Sequence, residues 1–84
     1  MDAKINQTVN VNAFYFKGGK SLRSFPRQIE LGGERFTFND GLQYVVQKGH
    51  HKVKLFDMSD GRTTYRLRQE DDIWTLIGTR LQTI

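Results

Sequence analysis

Three turn signals inside one short stretch constrain this chain more than any other feature. Between Arg35 and Leu67, Asn39-Asp40-Gly41, Gly49-His50 and Ser59-Asp60-Gly61 separate runs rich in Phe, Tyr, Val, Leu and Thr. Strand formers bounded by turn formers predict consecutive antiparallel strands. Because side chains alternate along a strand, slipping the pairing by one residue moves every side chain to the other face. The turns must therefore agree with the apolar pattern.

A three-residue loop at Asn39-Asp40-Gly41, ending in a left-handed glycine, sets Phe38 opposite Leu42 and Phe36 opposite Tyr44. A two-residue loop at Gly49-His50 pairs Val46 with Val53 and Tyr44 with Leu55. A second three-residue loop at Ser59-Asp60-Gly61 pairs Leu55 with Tyr65 and Val53 with Leu67. The expected inner face is then Phe36, Phe38, Leu42, Tyr44, Val46, Val53, Leu55, Tyr65 and Leu67. The two glycine loops share the pattern Phe-x-x-x-Asp-Gly, 20 residues apart. Two copies fall short of a solenoid, which needs at least about three repeats, so this reads as one turn problem solved twice.

The opposite face would carry Arg35, Thr37, Gln43, Val45, Gln47, Lys52, Lys54, Phe56, Met58, Arg62, Thr64, Arg66 and Arg68, with no acid among them. In this register Lys54 faces Arg66 and Lys52 faces Arg68, a repulsive arrangement. Something outside the pattern is expected to offset it, and the plain alternative to a binding face is a solvated one, or one covered by the first strand, the Lys17 to Arg27 arm or the Glu70 to Asp72 turn. Lys52, Lys54, Arg62, Arg66 and Arg68 are the candidate phosphate contacts, and Phe56 the candidate stacking platform for an unpaired base. The competing expectation is a protein-contact surface, either for another protein or for a second copy of the chain. Val45, Phe56 and Met58 would be its apolar centre, and exposed edges near Pro26 or the C-terminus its pairing strands.

The rest of the chain fits the same architecture. Thr8 to Lys17 alternates Val9, Val11, Ala13 and Tyr15 against Phe14 and Phe16, which predicts a strand covered on both sides in its second half. Lys17-Gly18-Gly19-Lys20 predicts a hairpin turn that pairs Tyr15 with Leu22. Pro26 cannot donate to a ladder and marks an edge, a bend or a bulge. Gly32-Gly33 as a two-residue loop pairs Ile29 with Phe36 and Glu30 with Arg35. Ile73 to Ile77 is apolar at both parities, so its register stays open. Leu42 to Lys48 also has helical spacing, but Val45-Val46, Tyr44 and the short length favour a strand.

The expected fold is all-β: one domain over residues 1–84 with about seven short antiparallel strands in meander order, and residues 1–7 and 79–84 prone to fray. A flat sheet of that size would leave its aromatic face wet, so it is expected to curl into a small barrel or roll.

Composition narrows the function classes. The formal net charge is +4, yet residues 1–29 hold five bases against one acid, while residues 30–84 are balanced at eight each. Net charge therefore says little about the central strands, because screened fields reach only about 8–10 Å. Absence of cysteine fits a reducing compartment, and no run is long and apolar enough for a membrane helix; a cytoplasmic protein without membrane contact is expected. No catalytic set, metal site or cofactor is predicted. Gly18-Gly19-Lys20-Ser21 resembles the end of a phosphate-binding loop but has Phe14 where the first glycine belongs and Pro26 soon after. Neighbouring His50 and His51 point apart on an extended chain. Asp57-x-Ser59-Asp60-Gly61 lacks the glutamate of a calcium loop. Asp57 itself is placed at the end of the inner face, opposite Thr63 and beside Leu42, as a candidate barrel-mouth carboxylate. The expectation is a non-enzymatic binding module.

Overall fold

The computed structural model describes residues 2–82 and contains β-strands throughout: β1 (Asp2–Lys17), β2 (Arg23–Leu31), β3 (Glu34–Thr37), β4 (Asp40–Lys48), β5 (His51–Ser59), β6 (Thr63–Glu70) and β7 (Ile73–Leu81). They form one antiparallel sheet in the order β3-β2-β1-β7-β6-β5-β4. Sequential hairpins account for every ladder except the long-range β1–β7 pair. The start of β1 pairs with the second half of β7, with Ala3 opposite Thr79; positions 1, 83 and 84, at the ends of the segments expected to fray, lie outside the described residues.

β1 joins two halves of the sheet. Its first half pairs with β7 and its second half, from Asn10, with β2. Past a register shift at Ala13, Phe14 lies opposite Pro26. The ladder irregularity thus sits beside the residue that cannot donate, as expected of a strand proline. Phe14 and Phe16, predicted to be covered, are exposed. Tyr15 pairs with Phe25 rather than Leu22, because the connection runs from Gly18 to Leu22 instead of closing as a tight turn.

The Gly32-Gly33 hairpin has the expected register: Ile29 lies opposite Phe36 and Glu30 opposite Arg35, whose guanidinium is 3.5 Å from the carboxylate. The Gly49-His50 hairpin also agrees, pairing Val46 with Val53 and Tyr44 with Leu55. Its two-residue turn is set by local chemistry, with Gly49 at φ 60°. A positive φ is what such a turn requires and what glycine supplies without a Cβ clash.

The other two loops differ from expectation. β3 and β4 do not pair at all. Phe38 is fully buried, its N–H donates to Arg27 O of β2 (2.8 Å), and the next N–H, of Asn39, donates to Ser59 O of β5 (2.7 Å). The chain thus passes from one end of the sheet to the other within two residues. Gly41 is not left-handed; it lies in β4 opposite Met58. At Ser59-Asp60-Gly61, the Asp60 carboxylate accepts the N–H groups of Arg62 (2.9 Å) and Thr63 (2.8 Å). These bonds widen the turn, so that Ser59 lies opposite Thr64, Met58 opposite Tyr65 and Phe56 opposite Leu67. The expected register was off by an odd number of positions, and the faces exchange. Two copies of Phe-x-x-x-Asp-Gly therefore adopt different conformations.

The core is Val9, Phe25, Ile29, Phe38, Phe56, Met58, Tyr65, Leu67, Trp74 and Leu76. The sheet folds over so that β2 and β3 face β5 and β6. Phe25 meets Phe56 edge-on (6.1 Å between centroids), and Phe36 and Phe38 both contact the Tyr65 ring (5.5 and 5.1 Å). β7 settles its open register by burying Trp74 and Leu76 and leaving Ile73 exposed. No ladder joins β3 to β4, so the sheet is open at that seam.

Candidate functional site

With Phe56 and Met58 inside, the other parity of β4 and β5 faces out. Tyr44, Leu55, Arg68 and Thr75 form one cross-strand row on β4 to β7; Leu42, Asp57, Arg66 and Gly78 form the next. Val46 and Val53 make the pair beyond Tyr44 and Leu55. Leu42 is 61% exposed, Tyr44 44% and Val46 37%. An apolar strip therefore lies on the surface where the expected register had placed core.

Charge borders the strip. Arg66 donates to both carboxylate oxygens of Asp57 (Nε–Oδ1 2.7 Å, Nη2–Oδ2 2.8 Å), a two-point contact between neighbouring strands. That hydrogen bonding and the carboxylate charge raise the Arg66 pKa above its ordinary value. Because the Arg66 side chain is half exposed, solvent screens much of the interaction. His51 Nε2 lies 2.8 Å from Glu70 Oε2, and Arg68 3.9 Å from the other oxygen of that carboxylate. Beside Asp57 and Thr64 are two adjoining open depressions. One, of about 320 Å³, includes Lys4, Ile77 and Arg80 in its walls; the other, of about 420 Å³, includes Lys17, Asp40, Leu42 and Tyr44.

The predicted basic set does not assemble. Phe56 is 1% exposed and packs on Trp74 (5.1 Å between centroids), so it offers no stacking surface. Lys52 and Lys54 share its parity and are exposed on the opposite side of the β4–β5 hairpin from Arg66 and Arg68. Lys54 faces Gln69 rather than Arg66, so the expected repulsion is absent there. Arg62 sits in the β5–β6 turn. Asp57, expected near Thr63 on the inner face, is on the outer face against Arg66.

Sequence reasoning missed Leu42, Tyr44, Val46, Val53 and Leu55 as surface residues, although it paired β4 with β5 correctly. One signal for their placement was available. Asp57 shares their parity, so putting them inside directs a carboxylate into the core, whereas putting Phe56 and Met58 inside turns it to the outer face, where Arg66 pairs with it.

Among the described residues, no three His, Asp or Glu side chains are grouped as metal ligands, and no helix is long and apolar enough to cross a membrane. Comparison with known proteins finds no match: no protein-family model, no curated protein and no solved structure corresponds to the chain.

Proposed function

We propose that this protein is a non-enzymatic protein-interaction module, and that its contact surface is the outer face of β4 and β5. The exposed strip of Leu42, Tyr44 and Val46 beside Val53 and Leu55 carries the reading. Contiguous exposed apolar side chains rimmed by charge mark partner surfaces more often than solvated faces. We read the folded-over sheet as a roll left open between β3 and β4, which keeps the outer edge of β4 available. The polyanion reading is less favoured: it needs Lys52, Lys54, Arg66 and Arg68 on one face around an exposed Phe56, and these residues are divided by the sheet.

A photo-crosslinking residue at Val53 tests the reading inside cells. Discrete protein adducts are expected from Val53 and none from a control position at Asn12, on β1. Adducts to nucleic acid in place of protein would overturn it.

A further inference from the structure

The two ends of the sheet are not equivalent. β3 has four residues and carries Glu34 and Arg35, features that discourage edge pairing. β4 has nine residues, Asp40–Lys48, with no proline and no charge between its first and last positions. Among the described residues, no strand pairs with its outer side.

Hydrogen-bond alternation defines what that side offers. The two-residue turn at Gly49-His50 makes Lys48 and His51 the bonded pair that closes the hairpin. Val46, Tyr44 and Leu42 then direct their main-chain groups toward β5, and Gln47, Val45, Gln43 and Gly41 direct theirs outward. Consistent with this, the Gly41 N–H is taken by the Asp40 side chain (2.8 Å) rather than by β5. Gln43 Nε2 donates to Ser24 O of β2 (3.2 Å) and Lys17 Nζ of β1 donates to Asp40 Oδ1 (2.9 Å), so two side-chain contacts reach this strand from the other part of the sheet.

The strand is complementary to itself. A twofold axis through Tyr44 sets Leu42 opposite Val46, Gln43 opposite Val45, and Asp40 opposite Lys48 of a second antiparallel copy. Both ends then bring Lys48 to Asp40, which within one chain is held by Lys17 (2.9 Å), and the two outer apolar strips become continuous. We propose that the partner of this face is a second copy of the chain, joined through antiparallel β4–β4 pairing centred on Tyr44. This rests on the protein-contact reading of the β4–β5 face and adds the occupant and its register. Main-chain bonds between Gln43 and Val45 of the two copies form the centre, the Gln43–Ser24 contact gives way to them, and Asp40 exchanges Lys17 for Lys48 of the second copy.

Sedimentation equilibrium of the purified protein is expected to show mass rising from one to two chain equivalents with concentration. Val45→Pro removes only an outward-facing donor and is expected to give a folded monomer. Asp40→Lys and Lys48→Glu each place like charges at both ends of the pairing, so each alone is expected to be monomeric. Their mixture restores both pairs and is expected to form a heterodimer. The native sequence contains no cysteine, so Tyr44→Cys is expected to cross-link across the axis on mild oxidation while Val46→Cys does not, since only position 44 faces itself. A protein that stays monomeric throughout, a dimer indifferent to Val45→Pro, or charge variants that fail to dimerise on mixing would overturn the proposal. A monomer that still yields protein adducts at Val53 would remove the second copy as partner and leave the contact reading intact.

Discussion

Replacing Phe56 and Leu55 separately by alanine distinguishes the observed faces from their mirror assignment, because the two residues are neighbours of similar hydrophobicity on opposite sides of one strand. Phe56 is 1% exposed, with its ring against Phe25 and Trp74. Truncating a buried Phe costs about 3–5 kcal/mol in lost transfer energy and cavity formation. Leu55 lies on the outer face beside Tyr44 and Arg68; losing those cross-strand contacts costs about 1 kcal/mol or less. With a urea m value of roughly 1.5 kcal/mol/M, the midpoint is expected to fall by about 2–3 M for Phe56→Ala and by about 0.5 M for Leu55→Ala. A domain of 84 residues has a total stability of about 4–13 kcal/mol. Phe56→Ala can therefore leave too little to measure, and Phe56→Leu, at about 1–2 kcal/mol, keeps the comparison accessible. Dilute protein is required so that self-association does not add to the apparent stability. A Leu55→Ala shift equal to or larger than that of Phe56→Ala would refute the assignment of faces and with it the exposed strip.

Asp60 makes stability depend on pH. Its carboxylate accepts the N–H of Thr63 and of Arg62, which holds its pKa below the ordinary value. The stabilisation is fully present above the unfolded pKa of about 3.9 and is lost as pH falls through the depressed folded value. Asp60→Ala is expected to cost about 1–2 kcal/mol at neutral pH, with the gap to the parent closing below about pH 4 in urea titrations. At Gly41, an added methyl would meet the Sδ and Cε of buried Met58 and lie 3.1 Å from Asp57 O. Gly41→Ala is expected to lower stability by about 1–3 kcal/mol through overpacking, while Gly19→Ala, with open space around the new methyl, stays within about 0.5 kcal/mol. Thermal melts of the two variants suffice.

Legibility in the sequence followed the range over which each feature is set. The Gly32-Gly33 and Gly49-His50 hairpins were correct to the residue, because a two-residue turn with glycine at positive φ fixes the pairing within a few positions. Ser59-Asp60-Gly61 was recognisable as a turn, but its width depends on whether Asp60 gathers the Arg62 and Thr63 amides. That choice decides whether Phe56 or Leu55 enters the core. Asn39-Asp40-Gly41 failed for a different reason: its residues suit a hairpin loop, and the burial of Phe38 carries the chain across instead. The candidate basic site fell with the faces, since moving Phe56 inward places Lys54 and Arg66 on opposite sides of the sheet.

What the sequence determined by itself was the all-β character, the positions of the strand-turn alternation, and the register wherever glycine closed a tight turn, because these depend on backbone chemistry within a few residues. Tertiary structure alone decided which parity is core, where the sheet ends, and that β1 pairs with β7. In β4 and β5 both parities carry apolar side chains, Leu42, Tyr44, Val46, Val53 and Leu55 on one and Val45, Phe56 and Met58 on the other, so alternation alone does not choose the buried face and only the parity of Asp57 points to it. Packing makes the choice when Phe56, Met58, Tyr65 and Leu67 find Phe25, Ile29 and Phe38 across the fold.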